Sequence, residues 1–121
     1  MRQFKYVAAI GAVVAIVILS AQTSPRGKQL FETRCAGCHS LDSDKEGPRL
    51  RGVYGRAAAS VPSFEYSDAL KQAKIEWNDD TLNEWLTGPD KRVPGSGMAT
   101  RVQSADDRAA IIAYLKQISA R

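Results

Sequence analysis

Cys35, Cys38 and His39 stand within one five-residue stretch, Cys35-Ala36-Gly37-Cys38-His39, and the 121 residues contain no other cysteine and no other histidine. All the thiol and imidazole chemistry of the chain is therefore gathered at one turn. A fold built around this sequence must organise itself about whatever that turn holds.

Four chemistries use a pair of cysteines three apart: a redox dithiol, half of a zinc site, a local disulfide, and covalent attachment of a haem. A thioredoxin-like dithiol sits in an alternating strand-and-helix pattern, which this chain lacks. A zinc site needs a second pair of ligands, and none exists. The histidine directly after the second cysteine fits the fourth reading. Two thiols on one turn add to the two vinyl groups of a haem, and the adjacent imidazole reaches the iron from one side. His39 is then the proximal iron ligand, and one haem c is held through Cys35 and Cys38.

The second axial position follows by elimination. With a single histidine, a bis-histidine haem is impossible within the chain. Met1 is the initiator, which leaves Met98 as the one internal methionine. It lies in Pro94-Gly95-Ser96-Gly97-Met98, a turn-rich segment able to carry a thioether to a metal. Taken alone, Met98 would read as a gap-filling core residue. After the haem motif it is the expected sixth ligand, and His/Met ligation suits electron transfer.

The N-terminal 21 residues have a different character. Arg2 and Lys5 precede an uncharged apolar run over residues 7–21, the pattern of a secretory signal. The run is somewhat short for a membrane span, and the possible cleavage sites are mediocre, so signal peptide and retained anchor both remain open. Either way the segment directs export, to a bacterial periplasm or to the outer face of the inner membrane. Its loss lowers the net charge from +4 to +2. That mild charge, with no interleaving of aromatic and basic residues, argues against nucleic-acid binding.

Residues 22–121 make one small domain. Ser24 is placed to cap a helix with Pro25 at its first position and Leu30 and Phe31 on its apolar face, ending at the cysteines. Residues 40–62 read as a long loop broken by Gly47-Pro48, Gly52 and Gly55. Such a loop in so small a domain is explained by wrapping a large apolar ligand. Ser67 caps a short helix over residues 68–74, and Asn78 caps another over residues 79–86, closed by Gly88 and Pro89. Residues 91–102 read as loop. Ser104 and Asp107 form a capping box for a last helix, on which Ile111, Ile112, Leu115 and Ile118 follow helical spacing. The expected fold is all-α, with three to five helices and long loops around one haem.

With these residues the chain resembles the class I cytochrome c family over residues 27–115. The resemblance implies that Gly27 and Phe31 pack against Ile111 and Tyr114, joining the first and last helices. It implies that Pro48 offers its carbonyl to the proximal histidine, and that Arg56, Tyr66 and Trp77 hydrogen-bond a buried haem propionate. Ser96 stands where a threonine of the family donates to a propionate or an internal water. Burial of a carboxylate is costly unless donors satisfy it, and a guanidinium, a phenol and an indole are apt donors.

Three departures from the family stand out. Trp85 replaces a tyrosine that often lies beside the methionine sulfur, and Leu70 replaces a common asparagine. The basic ring around the haem edge is thin. Arg34, Lys45, Lys91, Arg92 and Arg101 remain, while Gln29, Asp90, Gly97, Gln103 and Ser104 stand at positions often occupied by lysine.

The implied function is that of a one-electron carrier rather than an enzyme. It would act as a monomer between redox proteins, such as a quinol-oxidising complex and a terminal oxidase, with no small-molecule substrate. A haem-bearing subunit of a larger oxidase or dehydrogenase complex uses the same residues. A peroxidase or gas-binding protein would need Met98 off the iron, and the chain has no distal histidine for peroxide chemistry. The haem-free chain is expected to be largely unfolded.

Overall fold

The computed structural model describes residues 2–3, 11–16 and 25–120. Ser24 and most of residues 1–21 lie outside them, so the expected first cap and the signal or anchor segment are not described. Residues 11–16 are neither helix nor strand, and leave Val13, Val14 and Ile16 exposed. No helix among the described residues is long and apolar enough to cross a membrane.

The described residues form five helices: α1 Pro25–Arg34, α2 Asp68–Gln72, α3 Asp79–Thr87, α4 Pro89–Arg92 and α5 Ala105–Ser119. The frame is the crossing of α1 on α5, with α3 packed on α5 and followed at once by α4. Gly27 sets how closely α1 approaches. A Cβ at that position would lie 2.3 Å from the Ala110 carbonyl oxygen and 2.9 Å from Tyr114 Cβ. The Phe31 and Tyr114 rings meet at 5.5 Å, and Ile111 is wholly buried between the helices. Asp107 fastens the same crossing from outside. It is ion-paired to Arg26 and lies 3.7 Å from Arg34, both on α1.

Capping explains where the helices start. The Asn78 side chain accepts from Thr81 N–H while the Thr81 hydroxyl accepts from Asn78 N–H, a full reciprocal cap for α3. Ser104 accepts from the Asp107 backbone, one half of the box expected there, and the Asp107 carboxylate faces α1 instead.

Two boundaries differ from the sequence expectation. α2 stops at Gln72 rather than at residue 74, because Lys74 adopts a left-handed φ of 54° and turns the chain away. Beyond Gly88, Pro89 begins another helical turn, α4, where the sequence reading ended a helix and placed residues 91 and 92 in a loop. A proline with its fixed φ is as well suited to start a turn as to stop one.

The loop over residues 40–62 is compact. Leu50 N–H donates to Ser40 O and Arg51 N–H to Leu41 O, at 3.0 and 2.9 Å. Asp44 accepts from Arg49 N–H at 3.0 Å and from the Ser63 hydroxyl at 2.6 Å, and these bonds hold its carboxyl pKa below the usual range. Further on, the chain pairs antiparallel with the segment before α3. Gly55 N–H donates to Trp77 O, Trp77 N–H to Arg56 O, and Ala58 N–H to Ile75 O. This isolated bridge brings Arg56 and Trp77 side by side.

Candidate functional site

α1 runs directly into the cysteine turn. Cys35 N–H and Ala36 N–H both donate to Phe31 O, Cys38 N–H donates to Cys35 O, and His39 N–H donates to Cys35 O at 2.9 Å. Successive helical turns thus put two unpaired thiols and an imidazole on one wall of the domain. Among the described residues, no group of three or more His, Cys, Asp and Glu side chains could hold a metal ion.

The His39 ring is half-buried and fixed on both edges. Its Nδ1 lies 2.8 Å from the Pro48 carbonyl oxygen. A carbonyl can only accept, so Nδ1 carries the proton and Nε2 keeps its lone pair. Burial lowers the pKa of the imidazole, which favours the neutral, ligating form. Gly47 leaves room for the ring. A Cβ there would lie 2.3 Å from His39 Cε1 and 2.6 Å from Nδ1.

The thiols differ in setting. Burial raises the pKa of Cys35, whereas Cys38 is exposed and donates from Sγ to Glu46 Oε2 at 3.4 Å, a bond that raises its pKa.

The methionine loop is a second segment that lines the same cavity as the cysteine turn. Ser96 N–H closes a turn on Val93 O, while Gly95 and Gly97 take φ of 85° and 88°, which side chains rarely tolerate. The Ser67 hydroxyl caps α2 by accepting from Leu70 N–H, and donates its own proton to Ser96 O at 3.1 Å. At the far end, Val102 N–H donates to Leu86 O, tying the loop to α3. Met98 is directed inward, and Trp85 Nε1–H donates to its Sδ at 3.3 Å.

Between these walls lies a cavity of about 360 Å³. It is lined by all nine residues expected from the sequence: Cys35, Cys38, His39, Pro48, Arg56, Tyr66, Trp77, Ser96 and Met98. Its remaining wall is largely apolar, with Phe31, Val53, Leu70, Leu82, Leu86, Ile111 and Leu115.

Four side chains to which the resemblance gives a polar role, Arg56, Tyr66, Trp77 and Ser96, all line this cavity. Arg56 is half-buried, with its guanidinium donating to Arg49 O and Arg51 O, and burial lowers its pKa. Tyr66 accepts from Val61 N–H at 3.1 Å, so its own hydroxyl proton remains available to donate. The Ser96 hydroxyl is buried without a hydrogen-bond partner among the described residues. An orphaned buried hydroxyl on an apolar wall calls for a polar group in the cavity. The residues present therefore fit a haem: two thiols, an available imidazole nitrogen, a thioether, and polar donors on the wall of the same cavity.

Sequence reasoning left some residues unassigned. Gly47 appeared only as a loop breaker, although its place beside Pro48 is a usable signal. Glu46 as acceptor for Cys38, and Ser67 as strut for the methionine loop, leave no sequence signature because both contacts depend on the folded loops.

The cations expected around the haem edge are mostly engaged. Arg92 pairs with Glu84 at 3.0 Å and Arg101 with Asp90 at 2.9 Å, while Arg34 faces Asp107. Lys45 Nζ donates to Ala36 O at 2.9 Å. Arg101 also holds the Asp90 carboxyl below its usual pKa.

Comparison with known proteins agrees with this geometry. The family described as Cytochrome c matches residues 24–119. The chain is 50% identical over 95 residues to a cytochrome c of Gibberella zeae, covering 75% of this chain and 90% of that one. It is 45% identical over 96 residues to a cytochrome c of Arabidopsis thaliana, covering 76% and 86%. Among solved structures, cytochrome cH from Methylobacterium extorquens superposes with a TM-score of 0.74 at 34% identity, over 78% of this chain and 97% of that one. With the fold, the cysteine turn and the cavity in agreement, the chain belongs to the class I cytochrome c family, whose members are electron carriers with covalently attached haem.

Proposed function

We propose that this chain is a mono-haem electron carrier whose haem is attached through Cys35 and Cys38 and ligated by His39 and Met98. The observation that carries the reading is the convergence of all nine expected residues on one cavity. The bound haem supplies one-electron iron chemistry, and the chain supplies the rest. His39 is held as the Nδ1–H tautomer by Pro48, which aims Nε2 into the cavity. Met98 would supply the second protein ligand to the iron, which would leave no open position for oxygen. Arg56, Tyr66, Trp77 and Ser96 would hold a buried propionate, and their hydrogen bonds would make its charge tolerable in an apolar surround.

On this reading residues 1–21 direct export and residues 22–121 are the carrier domain, which works in a bacterial periplasm, free or tethered at the inner membrane. The support is the charged start and the uncharged run that follows it. Its partners are redox proteins, one donating from the quinol level and one accepting at a terminal oxidase, and the protein meets them as a monomer.

The test is a relay. Protein matured in an exporting bacterial host is added in catalytic amount between membranes containing a quinol-oxidising complex and a separate terminal oxidase. Electron flow that rises in proportion to added protein supports the carrier. If the haem is reduced and reoxidised only within a co-purifying complex, the chain is a fixed subunit.

A further inference from the structure

The link from His39 to Pro48 is short and fastened at both ends. Gly47 N–H donates to Cys38 O at 2.8 Å, and Leu50 N–H donates to Ser40 O at 3.0 Å. Within this link stands Asp44, whose two carboxylate oxygens have separate tasks. Oδ2 accepts from the Ser63 hydroxyl at 2.6 Å, and Oδ1 accepts from Arg49 N–H at 3.0 Å. The Arg49 guanidinium donates to the same Ser63 hydroxyl at 3.0 Å and so braces the clasp. The bonds from Ser63 and from Arg49 N–H hold the carboxyl below its usual pKa and keep it anionic.

The N–H of Arg49 and the C=O of Pro48 belong to one planar, conjugated peptide unit. That unit is held at both ends: its N–H donates to Asp44, while its carbonyl accepts from His39 Nδ1–H at 2.8 Å. An anion at the N–H end pushes electron density toward the carbonyl oxygen, and hydrogen bonds in a chain polarise one another in this way.

We propose that Asp44 is a positioning residue for the proximal histidine, acting through the Pro48–Arg49 peptide to strengthen the His39 Nδ1–H bond and hold the reduction potential down. This rests on the His39 ligation proposed above. A stronger acceptor at Nδ1–H makes Nε2 the better donor, and better donation favours the more positive, oxidised iron. Asp44, Arg49 and Ser63 do not line the cavity. Their influence on the iron therefore passes through this peptide or acts as plain charge.

The test uses matured holoprotein as wild type, Asp44→Asn, Asp44→Ala and Asp42→Asn. The readouts are the one-electron reduction potential and the proton NMR shift of His39 Nδ1–H in the reduced state. Asp44→Asn removes the charge but keeps a carbonyl able to accept from Arg49 N–H, whereas Asp44→Ala has the same charge and no acceptor. Asp42 controls for plain charge, because its carboxylate accepts from the Arg51 guanidinium instead. The reduction equilibrium of Asp44→Ala is expected to shift about threefold toward the reduced state, or about 28 mV at 59 mV per tenfold. Asp44→Asn should shift less, the Nδ1–H resonance should move upfield in the same order, and Asp42→Asn should leave it in place. Equal potentials in the two Asp44 variants, or an unmoved resonance, overturn the proposal, as does an equal movement in Asp42→Asn. Should Asp44→Ala fail to mature, the resonance in Asp44→Asn decides alone: moved upfield it supports the proposal, and unmoved it overturns it. If the carbon-bound ring protons of His39 lack the large haem-ring shift in the wild type, His39 ligation itself fails, a result that no Asp44 variant imitates.

Discussion

His39 Nδ1 lies 2.8 Å from the Pro48 carbonyl oxygen, and the glycine before that proline leaves the ring its space. Backbone polarity and an absent side chain thus act on the same imidazole. One sets which nitrogen is free, and the other sets where the ring sits.

Gly47→Ala tests the second contribution. The added methyl would lie 2.3 Å from His39 Cε1, so the loop or the ring must move. Overpacking of this kind costs about 1–3 kcal/mol, and the holoprotein should lose that much stability in denaturant unfolding. An unchanged unfolding midpoint would show that the ring is not seated by this contact.

Ser67→Ala removes a helix cap and a strut together. The cap alone is worth about 1 kcal/mol, and loss of the bond to Ser96 O frees the segment that carries Met98. Amide exchange should therefore accelerate at residues 95–98 as well as at the start of α2. Acceleration confined to α2 would separate the cap from the loop.

The haem-free chain should be largely unfolded. Without its occupant, the cavity of about 360 Å³ leaves Phe31, Leu82, Ile111 and Leu115 lacking packing partners on one side, as a large core truncation does. A Cys35→Ala, Cys38→Ala chain is expected to show little helix by circular dichroism. A well-folded apoprotein would mean that the helices carry the fold by themselves.

Charge pairing sets the expected salt response. Because Arg92, Arg101 and Arg34 face carboxylates, little unbalanced positive charge is left to attract a partner from a distance. The association rate with an acidic redox partner should fall less than about tenfold between roughly 0.01 and 0.15 M salt, where the Debye length shortens from about 30 to 8 Å. A steeper fall would show that Lys91 and the paired arginines still steer.

Much of this molecule was legible in the sequence because its signals are local. The cysteine turn, the Ser67, Asn78 and Ser104 caps, and the isoleucine spacing of α5 depend on neighbours a few residues away. The place of Met98 on the cavity wall was legible for another reason: the sequence holds no other internal methionine to offer there. The pairing of residues 55–58 with 75–77 was not legible, since two short segments separated by a loop and a helix carry no periodicity that marks them as partners. The α4 turn was missed because proline signals both helix start and helix end, and only the extended Gly88 backbone on its N-terminal side decides between them. Pairing of the rim arginines was equally hidden, as Arg101 and Asp90 are brought together by the methionine loop.

The account turns on Met98 as the second axial ligand, and the most direct test is the visible spectrum of the matured protein and of Met98→Ala, each with and without carbon monoxide. The account predicts a low-spin wild type that shows the sulfur-to-ferric-iron absorption and takes up no carbon monoxide. The variant should lose that absorption and bind the gas readily. A wild type that is high-spin and binds carbon monoxide would contradict the account and identify an open sixth site suited to gas binding or catalysis.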